Sequence, residues 1–301
     1  MSLAHDDLWP RAGGWPSFAA GERADAAILG VPTWHTSLSP TGAHATPAAI
    51  REALSRYSPT LMGPPVVDLD AALRIVDAGD VIEPDGDAGI ARTVARVSAL
   101  AAGTDLVIAL GGDNSLTYPV ARGAGANGLI TIDAHFDLRD GVSNGSPVRR
   151  LVEDAPVDER IDPTRIVQIG IADYANSAAY AQRAADWGIR VITLDELRRR
   201  GIEDVAGEAH EIAGGAAAAR IHLDVDVDVA DRSAVPGCPA SVPGGLAAFE
   251  LRALVRSLAG DTGVVSADIA EVDATADAPD GRTVRLAALC VLELLAGLAG
   301  R

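Results

Sequence analysis

The sequence predicts an α/β fold in which a parallel β-sheet is covered by helices on both faces. Three observations support this fold class: eight short apolar runs rich in Val and Ile, helix-forming stretches between them, and a length of 301 residues with 48% hydrophobic types. Strands that alternate with helices are typical of parallel sheets. The length suits one large domain, and no flexible linker divides the chain, so we predict a single domain over residues 1–301.

The predicted strands are short apolar runs that are long enough only for a strand. They are residues 26–31, 73–76, 105–110, 129–132, 166–169, 189–192, 221–227 and 264–269.

The predicted helices are stretches rich in Ala, Leu and Arg with helical spacing. They are residues 47–56, 91–102, 175–187, 247–258 and 284–298. This alternation fits both an open sheet and a closed (β/α)8 barrel, so periodicity alone leaves the choice open.

Charge and cysteine content exclude several functional classes. Lys and Arg total 25 against 42 Asp and Glu, which gives a formal net charge of −17. A surface this acidic would repel nucleic acid and an anionic membrane. Two cysteines cannot form a disulfide framework and indicate a reducing compartment. The nearly uncharged stretch 286–300 is too short for a membrane span, and we interpret it as a buried helix. We therefore expect a cytoplasmic protein with no nucleic-acid or membrane partner.

Acidic residues follow several predicted strands at their C-terminal ends. They are Asp113, Asp133, Asp137, Asp224, Asp226, Asp228 and Glu271. In a parallel sheet these strand ends share one edge, where ligands bind. Clustered carboxylates in a desolvated cleft repel one another unless cations neutralise them. Oxygen ligands with one imidazole suit Mn2+ or a similar ion, and the number of acids predicts two ions.

The spacing within these segments adds a geometric constraint. In an extended chain Asp133 and Asp137 would lie about 13 Å apart, too far to share an ion. The chain must therefore bend after His135. Asp226 and Asp228 are close enough for one to bridge two ions while the other completes the coordination of one of them.

Each of these positions also has a purely structural explanation. Asp113 can cap the following helix, Asp224 can be a solvated acid at a strand end, and for both residues the two explanations stay open. His135 can be a hydrogen-bonded core histidine, but the flanking acids favour a metal role. Glu271 can pair with an arginine, although its place after the last strand favours substrate contact. His222 has no partner visible in the sequence, so we expect a structural role for it.

The motifs together resemble those of the ureohydrolase family, which includes arginase, agmatinase, guanidino-acid hydrolases and formimidoylglutamase. They occur in the family's order and cover most of the chain. The matching segments are residues 111–115 (GGDNS), 133–137 (DAHFD), 143–147 (SNGSP), 226–231 (DVDVAD), 236–237 (PG), 244–246 (GGL) and 266–272 (SADIAEV). The resemblance implies a three-layer α/β/α sandwich with a mostly parallel eight-stranded sheet, the arginase-like fold.

The resemblance also implies ligand roles. Asp133 and Asp226 match the carboxylates that contact both manganese ions. Asp137 matches a ligand of one ion, and His135 and Asp228 match ligands of the other.

Two positions depart from the family pattern. Asn114 stands where the family has a metal-binding His, and an amide oxygen is the weaker ligand, so one ion is expected to be held loosely. Asn144 stands where arginase and agmatinase have His, and the Asn-Gly-Ser-Pro form resembles formimidoylglutamase-like members more closely. Asn144 and Ser146 are expected to contact the substrate.

The resemblance therefore implies hydrolysis of a linear amidine C–N bond, with formimidoylglutamate giving glutamate and formamide in histidine catabolism. A hydroxide that bridges the ions would attack the amidine carbon. Glu271 would pair with the cationic amidine, and Asp137 would pass a proton to the leaving nitrogen. Arg149 and Arg150 are candidate anchors for the substrate carboxylates, with solvated residues in the first turn of a helix as their structural alternative.

Two other functions stay open at this point. One is an agmatinase or another guanidino-substrate hydrolase that releases urea. The other is a binding protein without catalysis, in which Asn114 has impaired the metal site. Family members are commonly oligomers, so a homo-oligomer is expected.

Overall fold

The dominant element is an eight-stranded, entirely parallel sheet, seen in a computed structural model that describes residues 6, 8–19, 21–215 and 218–301. Two further strands form a small antiparallel pair. In chain order the strands are β1 (Ala24–Val31), β2 (Thr60–Leu61), β3 (Val67–Asp68), β4 (Ile75–Asp80), β5 (Thr104–Gly111), β6 (Gly128–Ile132), β7 (Ile166–Ile171), β8 (Arg190–Thr193), β9 (Ile221–Asp226) and β10 (Val264–Ala270).

The order of strands across the large sheet is β4-β1-β5-β10-β9-β6-β7-β8. Because β4 and β8 lie at opposite edges, the sheet is open, which rules out the barrel. All eight predicted strands belong to this sheet. Their boundaries differ by a few residues, and the largest difference is at β4, which was predicted at 73–76.

Helices of very different lengths connect the strands. They are α1 (Thr46–Leu54), α2 (Leu69–Ala72), α3 (Gly86–Ala101), α4 (Thr117–Gly123), α5 (Pro147–Glu153), α6 (Ala178–Trp187), α7 (Leu194–Arg200), α8 (Ile202–Gly214), α9 (Ala248–Ala259) and α10 (Arg282–Ala299). The five predicted helices correspond to α1, α3, α6, α9 and α10. The prediction missed α2, α4, α5, α7 and α8. The first four have seven residues or fewer and show at most two turns of apolar spacing. The 13-residue α8 is long enough to show helical spacing, and the sequence prediction was wrong to omit it.

Helices cover both faces of the sheet, so the fold is the expected three-layer sandwich. One face packs against α1 and α7–α10, and the other packs against α3–α6. Neighbouring residues of one strand, such as Val107 and Ile108, point to opposite faces and are both fully buried. Because both faces are covered, the strands are continuous apolar runs without polar alternation.

The C-terminal helix α10 forms part of this core. Residue Leu294 is fully buried, and the one acidic residue of α10, Glu293, is also buried and is bound by the guanidinium groups of Arg252 and Arg256. The apolar stretch 286–300 is therefore a core helix, as expected. Within the described residues, no helix combines the length and apolar character needed to cross a membrane.

The strand order decides where the acidic residues meet. Strands β5, β10, β9 and β6 are neighbours at the centre of the sheet. Ile132 of β6 pairs with Val225 of β9, and Ala270 of β10 pairs with Asp226, so the ends of these strands are level. The residues that follow them therefore enter one region.

We predict that Leu294→Ala lowers the free energy of unfolding by about 2–5 kcal/mol, because it leaves a cavity between α10 and the sheet. The measurement is urea denaturation followed by circular dichroism. The matched control is Ile82→Ala, since Ile82 is 78% exposed. A loss no larger than that of the control would contradict the core position of α10.

Candidate active site

The candidate site is a cavity of about 260 Å³ at the C-terminal edge of the central strands. Its lining includes His135, Asp137, Asn144 and Glu271, all of which were predicted site residues, together with Arg139. These residues come from loops after β6 and β10, so the cavity is assembled from distant parts of the chain.

The chain bends between Asp133 and Asp137, as the spacing requires. Residues 133–137 leave the strand direction directly after β6, and Asp137 adopts a left-handed backbone with φ of 52°. This bend brings ligand atoms of Asp133 and Asp137 within 4.8 Å of each other. A non-glycine residue in this conformation is strained, and such strain is common where a side chain must be aimed at a functional site.

Two groups of potential metal ligands share one residue. Asp133, Asp137 and Asp226 form the first group, and Asp133, His135 and Asp228 form the second, each with ligand atoms within 4.8 Å. Asp226 falls in the first group only, whereas the resemblance implies that it contacts both ions. Asp133 is common to the two groups, which is the geometry needed for a carboxylate that bridges two ions.

Backbone and side-chain bonds hold the second group in place. Nδ1 of His135 lies 2.6 Å from Oδ2 of Asp228. The amide of Ala134 donates to Oδ1 of Asp228 at 3.1 Å, and the amide of Asp228 donates to Oδ1 of Asp226 at 2.8 Å. These bonds leave the carboxylate side chains with little freedom, so the ligands are preorganised.

Burial and neighbouring charges raise the pKa values of Asp133, Asp137 and Asp226, whereas the pKa of Asp228 is lowered because its contact with His135 outweighs burial. Burial, followed by the charges of Asp137 and Asp228, raises the pKa of Asp133 well above its usual range. Burial raises the pKa of Asp137 to about 7, against the opposing charge of His135. Burial would lower the pKa of His135, but Asp228 outweighs it and raises that pKa to about 9. A divalent cation would remove this repulsion.

The residues present fit a manganese pair. Oδ2 of Asp133 is buried and has no hydrogen-bond partner within the described part of the chain, although buried carboxylate oxygens are normally satisfied. The donor set is four carboxylates and one imidazole, which suits Mn2+ or a similar ion and contains no thiolate.

Asn114 lies beside the first group, at the start of a 3-10 helix after β5. Its Nδ2 donates to Oδ2 of Asp137 at 2.8 Å, and its Oδ1 accepts a bond from Oγ1 of Thr117 at 2.7 Å. In this orientation the amide steadies Asp137 and does not direct an oxygen at the acids. Two residues earlier, Gly112 lets the chain pass close to Thr33, because a Cβ there would lie 2.1 Å from the carbonyl oxygen of Thr33.

Glu271 also lines the cavity. Like Asp137, it has a left-handed backbone conformation, with φ of 62°. Its Oε1 accepts bonds of 2.8 Å from the amide of Asn114 and from Nδ2 of Asn144. Burial, followed by the charge of Asp113, raises the pKa of Glu271 to about 8. Its contacts are amides and not an arginine, so the structural explanation of an Arg pair does not apply.

The structure corrects the expectations for Arg149 and Ser146, neither of which lines the cavity. The guanidinium of Arg149 donates to both carboxylate oxygens of Asp154, at 2.8 and 2.9 Å, and to the carbonyl oxygens of Arg139 and Gly141. The hydroxyl of Ser146 donates to the carbonyl oxygen of Ser143, three residues earlier in the turn. Both side chains use their polar atoms to hold the segment before and within α5, so they have none left for a substrate.

The structure also shows where Asp113 and Asp224 lie, the two acids for which the sequence left two explanations open. Oδ1 of Asp113 accepts a bond of 3.2 Å from the amide of Ser115, so Asp113 caps the 3-10 helix. Asp224 is not a solvated acid, since it is fully buried beside Asp268 of β10. His222 lies next to them with Nε2 2.9 Å from Oδ2 of Asp268, a buried partner that the sequence pattern did not reveal.

Sequence reasoning missed one charged residue of the cavity, Arg139. It follows Asp137 by two positions, so it continues the alternation of Asp133, His135 and Asp137. This alternation is the sequence signal that could have identified Arg139, whereas the prediction placed the cation at Arg149, after the Asn-Gly turn.

Comparison with known proteins shows the family of this chain. The model of the arginase family matches residues 24–297. The chain belongs to the arginase family. It is 35% identical over 286 residues to formimidoylglutamase of Bacillus subtilis (strain 168), covering 90% of this chain and 86% of that relative.

Solved structures of arginase-family proteins have the same fold. The crystal structure of formimidoylglutamase from Bacillus subtilis subsp. subtilis str. 168 matches with a TM-score of 0.88 and 29% identity, covering 99% of this chain and 94% of that chain. The structure of Trypanosoma cruzi formiminoglutamase with Mn2+ matches with a TM-score of 0.80 and 27% identity, covering 92% and 94%. Structural neighbours of this chain therefore carry manganese, and this chain has groups suited to it.

We predict that Mn2+ affinity falls as the pH is lowered from 8 to 6, because protons compete for carboxylates whose pKa values are raised, including Asp137 with a pKa of about 7. A raised carboxyl pKa means that the metal-free site is protonated below it, so affinity is highest above that pKa. The loss should approach about tenfold per pH unit for each proton displaced. Calorimetric titration in two buffers of different ionisation enthalpy measures affinity and proton release. Binding that is independent of pH and releases no protons would contradict the prediction.

We predict that Asn114→His raises Mn2+ affinity by about tenfold or more, because an imidazole nitrogen replaces an amide nitrogen that cannot bind a metal. The same calorimetric titration measures it. The matched control, Asn114→Ala, removes the bond to Asp137 without adding a ligand and should not raise affinity. Equal affinities for the His variant and the wild type would show that position 114 lies outside the reach of the metal.

Proposed function

We propose that this chain is a manganese-dependent hydrolase of a linear amidine C–N bond, with formimidoylglutamate as the substrate and glutamate and formamide as the products. The observation that carries the proposal is the pair of ligand groups sharing Asp133, next to a cavity whose wall holds Glu271. The similarity to formimidoylglutamases, at 34–35% identity over most of the chain, supports the choice of substrate.

The metal ligands in this proposal are Asp133, His135, Asp137, Asp226 and Asp228. Asp133 and Asp226 would contact both ions, Asp137 would complete the first site, and His135 and Asp228 would complete the second. When bound, the ions supply Lewis acidity that makes water nucleophilic near neutral pH.

Glu271 would bind the cationic amidine. Its Oε1 is occupied by the amides of Asn114 and Asn144, and its Oε2 is left to accept an N–H of the substrate. A carboxylate–amidinium pair is a charge-assisted interaction, and burial strengthens it. Because two donors fix the carboxylate, the amidine carbon would be held in one orientation over the ligand groups.

Asn144 stands where arginase and agmatinase have a histidine, and its side chain has a positioning role. Its Nδ2 donates to Glu271, and its Oδ1 accepts the amide of Leu38 at 3.0 Å. Both ends of the side chain are therefore used to fix Glu271 and the loop above the cavity. A side-chain amide is too weak an acid to protonate a leaving group near neutral pH, so the proton for the leaving nitrogen must come from another group.

Asp137 is the group proposed to move that proton. It lies in the cavity wall, and Nδ2 of Asn114 holds one of its oxygens. A carboxylate within reach of the attacking water and of the leaving nitrogen can take a proton from one and deliver it to the other.

We predict that the wild-type protein, assayed with added Mn2+, hydrolyses formimidoylglutamate with a higher kcat/KM than agmatine, arginine or 4-guanidinobutyrate. Product analysis measures formamide, urea and ammonia separately, so the bond that is cleaved is identified. Glu271 can pair with the amidine, and Asn144 replaces the histidine present in arginase and agmatinase, so a formimidoyl substrate is favoured over arginine and agmatine. Urea release from a guanidino substrate as the dominant activity would replace this function by a guanidino hydrolase.

The control for this assay is metal content, measured on the same preparation before and after dialysis against a chelator. Activity that disappears with the metal and returns with Mn2+ supports the hydrolase. A protein that binds fewer than two ions and cleaves none of the substrates would instead support the binding-protein alternative.

A further inference from the structure

Arg139 is a cation in an otherwise acidic cavity. Four carboxylates line the cavity, those of Asp137, Asp226, Asp228 and Glu271, and among the described lining residues Arg139 is the one guanidinium. Over the whole chain 25 Arg, with no Lys, stand against 42 Asp and Glu, which gives a formal net charge of −17. A positive charge at this place therefore needs an explanation.

The guanidinium of Arg139 makes no hydrogen bond or ion pair within the described part of the protein, and its charge acts on Asp137 only at a distance. The neighbouring arginines are all engaged: Arg149 binds Asp154 and Arg183 binds Asp140. The structure gives Arg139 only backbone bonds: its amide donates to the carbonyl oxygen of Gly145 at 3.0 Å, and its carbonyl accepts from Arg149. Its five donors are available to a ligand that enters the cavity.

The turn that carries Asn144 also seats the Arg139 side chain. A Cβ at Gly145 would lie 2.8 Å from Cδ and 3.2 Å from Nε of Arg139. The side chain therefore lies directly over the glycine, and a larger residue would push it aside. This packing fixes the guanidinium near the cavity, on the same turn that fixes Glu271 through Asn144.

We propose that Arg139 is the specificity residue of the cavity, and that it selects amidines with a carboxylate-bearing tail by binding that carboxylate, while Gly145 positions its side chain. The proposal rests on the amidine hydrolysis proposed above and adds the class of tail. A guanidinium binds a carboxylate through two parallel N–H bonds, which fixes the tail in position as well as charge. Arg139 would repel a substrate with a cationic tail. Without Arg139, the carboxylates of the cavity would attract such a tail.

The test uses three substrates with the same reacting group and different tails, assayed on the manganese-loaded protein. They are formimidoylglutamate, N-butylformamidine and N-(4-aminobutyl)formamidine. In Arg139→Gln the KM for formimidoylglutamate should rise by about 10- to 100-fold with kcat nearly unchanged, as for the loss of one charge-assisted pair. The KM for the uncharged butyl substrate should stay the same, and that for the cationic substrate should fall.

Three further variants separate positioning from charge. Arg139→Lys keeps the charge without the planar fork, so its KM should lie between those of the wild type and Arg139→Gln. Gly145→Ala should raise the KM for formimidoylglutamate. The double variant Arg139→Gln/Gly145→Ala should have the same KM as Arg139→Gln, because both changes remove the same contact between Arg139 and the substrate carboxylate. Arg199→Gln removes an exposed charge in α7, outside the cavity lining, and should leave KM unchanged.

Binding of L-glutamate, measured by calorimetry, gives a readout that does not depend on catalysis. Weaker glutamate binding in Arg139→Gln than in the wild type supports the anchor, even if the wild type fails to hydrolyse formimidoylglutamate and the proposed function falls. An unchanged KM for formimidoylglutamate and an unchanged Kd for glutamate in Arg139→Gln would overturn the inference and leave the hydrolase standing. A wild-type protein that hydrolyses formimidoylglutamate but binds the butyl substrate equally well would also overturn it.

Discussion

The main physical constraint on this structure is the repulsion among the buried carboxylates around Asp133, which a bound cation would remove. Asp133 shares one ligand group with Asp137 and Asp226 and the other with Asp228, and burial together with the neighbouring charges raises the pKa values of Asp133 and Asp226. Such a cluster is unfavourable by itself and becomes favourable when cations are added. The geometry of the cavity is therefore best understood as the geometry of a metal site.

The fold supplies this cluster at the cost of local backbone strain. Asp137 and Glu271 both have positive φ angles, at 52° and 62°, and both are held there by hydrogen bonds from neighbouring segments. Rigid strands beneath the loops support the strain, since four central strands of a buried parallel sheet end at this edge.

Much of the site could be anticipated because chemistry and spacing are local properties. The acids after the strands at 129–132 and 221–227, the bend required after His135, and the role of strand ends in parallel sheets follow from residue types and distances along the chain. Arg149 and Ser146 were misjudged because their positions after the turn look similar to that of Asn144. Only the packing shows that Arg149 turns to Asp154 while Arg139 faces the cavity.

The sequence by itself determined the fold class, the eight strands, the family resemblance and the identity of the clustered acids, because apolar runs and motifs are written in consecutive residues. The tertiary structure alone decided which strands are neighbours, how Asn114 orients its amide, where the short helices form and that Asp224 is buried beside Asp268. The physical reason is that these features depend on contacts between segments more than 20 residues apart, which no local pattern encodes.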